Sequence, residues 1–144
     1  MRRRPTTYTP RLAAKVCARI AEGESVRAIA QAEGMPASAT IYLWLNGRED
    51  FRSMYAAACE ERADALVEEM LAIADDASAD WRPAGKDGQD RAFDRENLAR
   101  AKLRIETRRW RAARLAPRKY GDRFDQAGAA PAPLSHEDAL AELE

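Results

Sequence analysis

The stretch GMPASATIYLWLNG, residues 34–47, decides the fold of this chain. It opens on a turn, because Gly34 suits the left-handed backbone that follows a helix and Pro36 cannot continue one. A short helix follows the turn. Its apolar residues recur at helical spacing, which places them on one core face: Ile41, Trp44 and Leu45.

Two more helices are predicted upstream. Thr9-Pro10 is typical of a helix start, with threonine as the cap and proline in the first turn. An apolar stripe follows it: Leu12, Val16 and Ile20. Gly23 ends this helix, and Ser25 caps a second, short one. Three short helices with a glycine turn between the second and the third describe a helix-turn-helix, whose third helix enters the major groove of DNA.

The third helix also has an outward arc. This arc holds small and polar side chains that allow a close approach to DNA: Ser38, Ala39, Thr40, Tyr42, Leu43 and Asn46. Asn46 can hydrogen-bond a base edge or a phosphate, and Leu43 can meet a thymine methyl group. The arc lacks Lys and Arg, so the common arginine-to-guanine contact is missing and each copy is expected to bind DNA weakly.

Basic residues surround this unit. Residues 1–48 hold eight Lys/Arg and three Glu, a net charge of +5. We assign DNA contacts to the cations of a flexible arm over residues 1–8 and of the helical unit: Arg2, Arg3, Arg4, Lys15, Arg27 and Arg48. The alternative is a plain three-helix bundle with a solvated positive face.

Charge alternates in blocks along the chain, although Lys+Arg and Asp+Glu both number 24. Residues 49–80 carry a net −8, residues 81–124 a net +8 and residues 125–144 a net −5. Blocks of this size suggest polar partners, either DNA or other copies of the chain.

Two long helices are predicted over about residues 50–76 and 94–116, with a polar loop at 77–92. The first is acidic and the second basic, so an antiparallel hairpin is expected, with its charges paired inside one chain or between chains. A helix that packs on one side needs a single apolar stripe, whereas these two helices carry apolar residues on more than one side. The surplus predicts contacts between copies of the chain through Phe51, Tyr55, Leu66, Val67, Met70, Leu71, Ile73, Leu103 and Trp110.

Two segments resemble a known family. They are GMPASATIYLWLNGREDFRSMYAAACEERADALVEEMLAIADDA (34–77) and LARAKLRIETRRWRAARLAPRKYGDR (98–123). Both resemble the small terminase subunits of tailed double-stranded DNA phages, in particular the short Shigella-phage-like group. The Lys119-Tyr120-Gly121-Asp122 end after a basic, Trp-containing helix is the most specific part of a resemblance that spans roughly residues 10–124.

The resemblance implies a homo-oligomeric ring, often of eight subunits. Such a ring binds packaging sites on double-stranded viral DNA and delivers that DNA to the large terminase subunit, which holds the ATPase and the nuclease. Relatives continue with strand sequence after the Tyr-Gly-Asp segment, whereas this chain has Gly, Ala and Pro at 128–133. At most one short C-terminal strand near residues 118–126 is therefore expected, and the acidic tail either docks on the large subunit or only solubilises the chain.

We therefore predict an all-α fold in three parts. A helix-turn-helix DNA-binding domain with its basic arm covers residues 1–48, a helical oligomerisation domain 49–124 and a flexible acidic tail 125–144. Competing hypotheses are a helix-turn-helix transcriptional regulator or transposase-like DNA-binding protein, and a scaffolding protein that binds no DNA.

An enzymatic role is disfavoured. The single histidine, His136, lies in the tail, and the chain has no GxxxxGK[ST] phosphate loop and no metal-ligand spacing. No catalytic residue, metal, cofactor or small-molecule substrate is expected.

Cys17 and Cys59 lie in apolar helical patterns and are expected to be buried thiols. Without a transmembrane run or a signal-peptide core, the chain is expected to be soluble in the host cytoplasm.

Overall fold

A computed structural model describes residues 7–121. The fold is almost entirely helical, as predicted, with one two-stranded sheet. Its elements in chain order are α1 (Pro10–Ala21), α2 (Val26–Gln31), α3 (Ser38–Gly47), α4 (Glu49–Asp75), β1 (Trp81–Ala84), β2 (Asp90–Phe93), α5 (Arg95–Leu115) and α6 (Pro117–Tyr120).

The predicted start signals cap the first two helices. The Thr9 hydroxyl accepts a hydrogen bond from the Leu12 amide at 3.2 Å, and the Ser25 hydroxyl accepts one from the Ala28 amide at 3.1 Å. These bonds satisfy amides that have no partner within the helix. Gly23 adopts a φ of 99° after α1, a conformation that side chains disfavour. Local sequence chemistry thus sets where α1 ends and α2 begins.

The first hydrophobic core joins α1, α2 and α3 to the first half of α4. Val16, Ile29, Ile41 and Phe51 come from these four helices in turn, and each is fully buried. Trp44 packs edge-on against Phe51 with ring centroids 5.5 Å apart. The start of α4 therefore belongs to the same core as the three short helices.

Tyr8 differs from the prediction. The sequence predicts a flexible arm that ends at Tyr8, but the Tyr8 ring packs edge-on against Trp44 at 5.1 Å and against Phe51 at 6.3 Å. Its hydroxyl also donates to the Asp50 carboxylate at 2.9 Å. An aromatic side chain that gains this apolar contact and a polar partner is fixed in place. Residues 1–6 of the predicted arm, which include Arg2, Arg3 and Arg4, lie outside the described residues.

The second half of α4 and α5 form the predicted antiparallel hairpin. Their contact is built from small residues, with Ala63 and Ala112 almost fully buried and Leu66 beside them. One ion pair crosses the hairpin, with Arg108 Nε of α5 2.8 Å from Glu69 of α4. A second pair joins α6 to α4, with Lys119 Nζ 2.7 Å from Asp64. The acidic α4 is therefore paired with basic residues of its own chain at these positions.

The predicted loop over residues 77–92 is wrong in part, because it contains a β-hairpin. Trp81 pairs with Phe93 and Pro83 with Arg91, and the Trp81 and Phe93 rings lie 5.6 Å apart. The Asp94 amide donates to the Asp80 carbonyl at 2.7 Å. Because hydrogen-bonded pairs alternate in an antiparallel ladder, the backbone nitrogen of Pro83 points away from β2. Strands this short and polar give little periodic signal.

The short strand that was possible near residues 118–126 does not form over residues 118–121, the part that the structure describes. Pro117–Tyr120 form a helical turn instead, since proline at the first position already has helical φ. The Gly121 amide closes the turn on the Pro117 carbonyl at 2.9 Å, and a Cβ at Gly121 would collide with that oxygen. Residues 122–126 and the acidic tail lie outside the described residues.

Candidate nucleic-acid interface

The burial of α3 follows the predicted division into an inward and an outward face. Ile41 is fully buried and Trp44 is 6% exposed, whereas Tyr42 is 54% and Leu43 69% exposed. Ala39 and Asn46 are exposed as well, and Ser38 and Thr40 are half-buried at the edge. The outward face of α3 presents an apolar side chain, an amide and a phenol without any fixed charge of its own.

Arg52 holds the end of this helix. Its Nη1 donates to the Leu45 and Asn46 carbonyls, both at 3.1 Å. The last carbonyls of a helix have no partner within it, and a cation also complements the negative end of the helix dipole. Sequence reasoning missed Arg52, since its only signal is a basic residue one turn into the next helix.

Some basic residues around α3 are paired with carboxylates of their own chain, and others form no ion pair. Arg19 holds Glu24 through two bonds at 2.7 and 2.6 Å. Arg48 stacks over Tyr8 at 3.7 Å and bonds the Asp50 carboxylate at 3.2 Å. Within residues 7–121, three cations of α1 and α2 are exposed and form no ion pair: Arg11, Lys15 and Arg27. These are the charges available to a phosphate backbone.

The residues predicted to contact other copies fall into three burial groups. Leu71, Leu103 and Trp110 are 61%, 58% and 55% exposed. Tyr55, Val67, Met70 and Ile73 are half-buried. Phe51 and Leu66 are buried against their own chain, so the surplus apolar surface assigned to them is wrong: the first fills the core with α1–α3 and the second faces α5.

An exposed apolar stripe runs along α5. Leu103 and Trp110 lie seven residues apart and therefore on one side of the helix. The Arg114 guanidinium stacks over the Trp110 ring at 4.0 Å and covers part of it. Three large apolar side chains of α4 and α5 are more than half exposed, and together they are called the hairpin surface: Leu71, Leu103 and Trp110.

Both cysteines are buried and free, as predicted. Burial raises the pKa of the Cys17 thiol to about 11, and the nearby Cys59 adds to the effect. Burial also raises the pKa of Cys59, although the positive charge of Arg111 opposes it. Raised values disfavour the thiolate, so both side chains act here as small apolar core residues.

No helix within residues 7–121 is long and apolar enough to cross a membrane.

Similar proteins indicate the family to which this fold belongs. A family model described as bacteriophage Sf6, terminase small subunit-like, matches residues 8–127. This chain belongs to that family. Three crystal structures of terminase small subunit gp1 variants from the bacterial virus Sf6 share 40% identity with it, at TM-scores of 0.57, 0.57 and 0.58. Each match covers 82% of this chain and 85% of gp1. Among curated proteins, no match is found.

As a terminase small subunit-like protein, the chain has its role in viral genome packaging. The match begins at the aromatic residue Tyr8 and extends past the Lys119-Tyr120-Gly121 segment. It therefore includes the three short helices α1–α3, the α4–α5 hairpin and α6. The resemblance to small terminase subunits is confirmed over nearly all of the described residues.

Proposed function

We propose that this chain is the DNA-recognising subunit of a viral packaging machine. It binds double-stranded DNA through α3, assembles with copies of itself into a ring and delivers the DNA to a large terminase subunit. The ATPase and nuclease activities belong to the large subunit, and the small subunit modulates them. Family membership supports packaging over the transcriptional-regulator and transposase-like alternatives.

The outward face of α3 is the observation that carries the proposal. It is a convex helix face with exposed Leu43 and Asn46, supported from behind by the Trp44–Phe51 contact and at its end by Arg52. A rigid helix with small side chains at its edge fits the major groove. Leu43 then meets a thymine methyl group, and Asn46 bonds a base edge or a phosphate.

Affinity per subunit is expected to be low. No Lys or Arg lies on α3, and the free cations of α1 and α2 are few. When several subunits hold one DNA molecule, each bound subunit keeps the others close to that DNA and so raises their effective concentration. A ring therefore binds DNA far more tightly than one chain does. The hairpin surface supplies the means of assembly, because exposed apolar side chains of this size favour contact with another subunit.

The test of DNA binding is a titration of a fluorescent duplex at low and moderate salt. We expect salt-sensitive binding by the natural chain and at least a tenfold loss for Leu43→Glu, which places a negative charge on the groove-facing helix. Ala99→Glu adds the same charge near the far end of α5 and should leave affinity nearly unchanged. No binding by the natural chain at low salt would overturn the proposal.

Assembly is tested separately by native mass spectrometry of the full chain. A single species of many copies, about eight by analogy with the family, supports a ring. A species of two copies would favour a regulator that reads two half-sites about one helical turn apart. A monomer would remove the assembly part of the proposal and leave the DNA-binding test unaffected.

A further inference from the structure

A pocket lies where the helix-turn-helix unit meets the α4–α5 hairpin. It has a volume of about 280 Å³ and is lined from five helices, α1 to α5. Arg27 of α2, Tyr42 of α3, Arg62 of α4 and Arg111 of α5 all border it. Three guanidinium groups and a phenol around one small space form an unusually cationic lining.

Arg62 is the fixed member of this group. Its Nη1 lies 3.2 Å from the Glu69 carboxylate, which also accepts from Arg108. On its other side the guanidinium packs against Gly23, where a Cβ would lie only 2.8 Å from Nε. The side chain is therefore held between α4 and the turn after α1, and its charge is partly neutralised.

Arg27 and Arg111 are the free members. Both are exposed, and neither forms a hydrogen bond or an ion pair within residues 7–121. The one carboxylate in the lining, Glu24, is already held by Arg19 at 2.6 Å. Two unneutralised guanidinium groups therefore face a pocket that contains no free negative charge among its described lining residues.

The charge of Arg111 reaches into the pocket. It opposes the burial-driven rise in the pKa of Tyr55 and of Cys59, and both of these residues also line the pocket. Tyr42 adds a hydroxyl donor from the outward face of α3. Guanidinium and hydroxyl groups that converge on one space are the donors that a phosphate group requires.

We propose that this pocket binds a backbone phosphate of the DNA duplex that lies on α3. Tyr42 belongs both to the pocket and to the outward face of α3, so a strand that passes that face reaches Arg27 and Arg111. The DNA-contacting surface then continues from the helix-turn-helix unit onto α5, and Arg111 joins the two parts of the molecule through the ligand. This inference rests on the proposed function, because it takes α3 to be the DNA-reading helix.

The test is the salt dependence of duplex binding by Arg27→Ala and Arg111→Ala. Loss of one phosphate contact lowers the slope of log affinity against log salt by about one. It also weakens binding by the same factor for every duplex sequence. Arg109→Ala is the matched control, since Arg109 is exposed on α5, forms no ion pair within residues 7–121 and does not line the pocket. Arg111→Lys should keep the natural slope.

Failure of this inference differs from failure of the proposed function. If the natural chain binds no duplex, the function itself is wrong and the inference falls with it. If Leu43→Glu abolishes binding while Arg111→Ala and Arg109→Ala give the natural slope, the function stands and the phosphate site is overturned. Stabilisation by inorganic phosphate that needs Arg111, with an unchanged duplex slope, would identify a free-anion site and overturn the duplex assignment.

Discussion

Lys119 Nζ lies 2.7 Å from the Asp64 carboxylate, and the two residues are 55 positions apart in the chain. The Tyr120 hydroxyl donates to the same carboxylate at 2.5 Å. Lys119 first, and Tyr120 second, hold the pKa of the Asp64 carboxyl below its usual range. This contact attaches α6 to the middle of α4 and so fixes the last described turn of the fold.

We expect Asp64→Asn to lower the melting temperature at neutral pH and to flatten its dependence on acid. Because the pKa is lowered in the folded state, the unfolded chain binds the proton more readily. The stabilisation is therefore complete above about pH 4 and is lost as pH falls through the lowered folded value. Thermal unfolding followed by circular dichroism measures this, with Glu60→Gln as the control on the same helix. An identical acid dependence for natural and Asp64→Asn chains would contradict the expectation.

Phe51→Ala is expected to destabilise the helix-turn-helix unit, although Phe51 lies outside its three short helices. Removing a fully buried phenylalanine costs about 3–5 kcal/mol. Chemical denaturation gives the change in the free energy of unfolding. Ser53→Ala, an exposed change two residues away, should stay within about 0.5 kcal/mol of the natural chain. Equal effects for the two variants would show that α4 does not share the core.

Leu103→Ser with Trp110→Ser is expected to reduce the number of copies in the assembly without unfolding the chain. Both side chains are more than half exposed in one chain, so their loss removes little of its own core. Native mass spectrometry gives the stoichiometry, and circular dichroism checks the fold. Leu98→Ser, on another side of α5, is the control. An unchanged mass for the double variant would exclude the α5 part of the hairpin surface from assembly.

Gly23→Ala is expected to cost more stability than Gly34→Ala. Both glycines have positive φ, at 99° and 77°, so each substitution introduces backbone strain of about 1–2 kcal/mol. Only at Gly23 does the new methyl group also meet the Arg62 guanidinium, since nothing lies within 4 Å of a Cβ at Gly34. Urea denaturation of the two variants measures the difference. Equal losses would mean that Arg62 moves aside freely.

The native chain is expected to react slowly with a thiol reagent at about pH 8, because only the thiolate is nucleophilic. Burial raises the pKa of Cys17 to about 11, and the residue is only 7% exposed. Cys59 is 9% exposed. The absorbance of released thionitrobenzoate follows the reaction, and the same chain in denaturant should react fully and fast. Rapid native labelling of either thiol would contradict its burial.

The parts of the fold that the sequence predicts are those with regular apolar spacing. The stripe at Leu12, Val16 and Ile20 and the caps Thr9 and Ser25 are local signals, and they locate α1 and α2 without knowledge of the rest. The inward face of α3 follows from Ile41 and Trp44 in the same way. The outward face is then known by exclusion, so the sequence alone predicts its residues.

Individual side-chain contacts between distant residues could not be predicted. Phe51 and Leu71 look alike in the apolar pattern of α4, but one faces Trp44 and the other faces solvent. Which side of a helix is covered depends on where its neighbours pack, and periodicity alone does not give that. The pocket arginines are a second case, because Arg27 and Arg111 lie 84 residues apart and line one pocket only because α1, α3 and α5 all pack against α4.

Pro83 has a consequence for how copies of this chain can aggregate. Any other residue at this position on the outer edge of β1 would expose an amide hydrogen to a strand from another molecule. Proline has no amide hydrogen to donate. Proline at an edge is one of the ways in which natural sheets resist pairing with strands of other molecules. Crowded copies are therefore discouraged from joining into fibrils along this edge of β1.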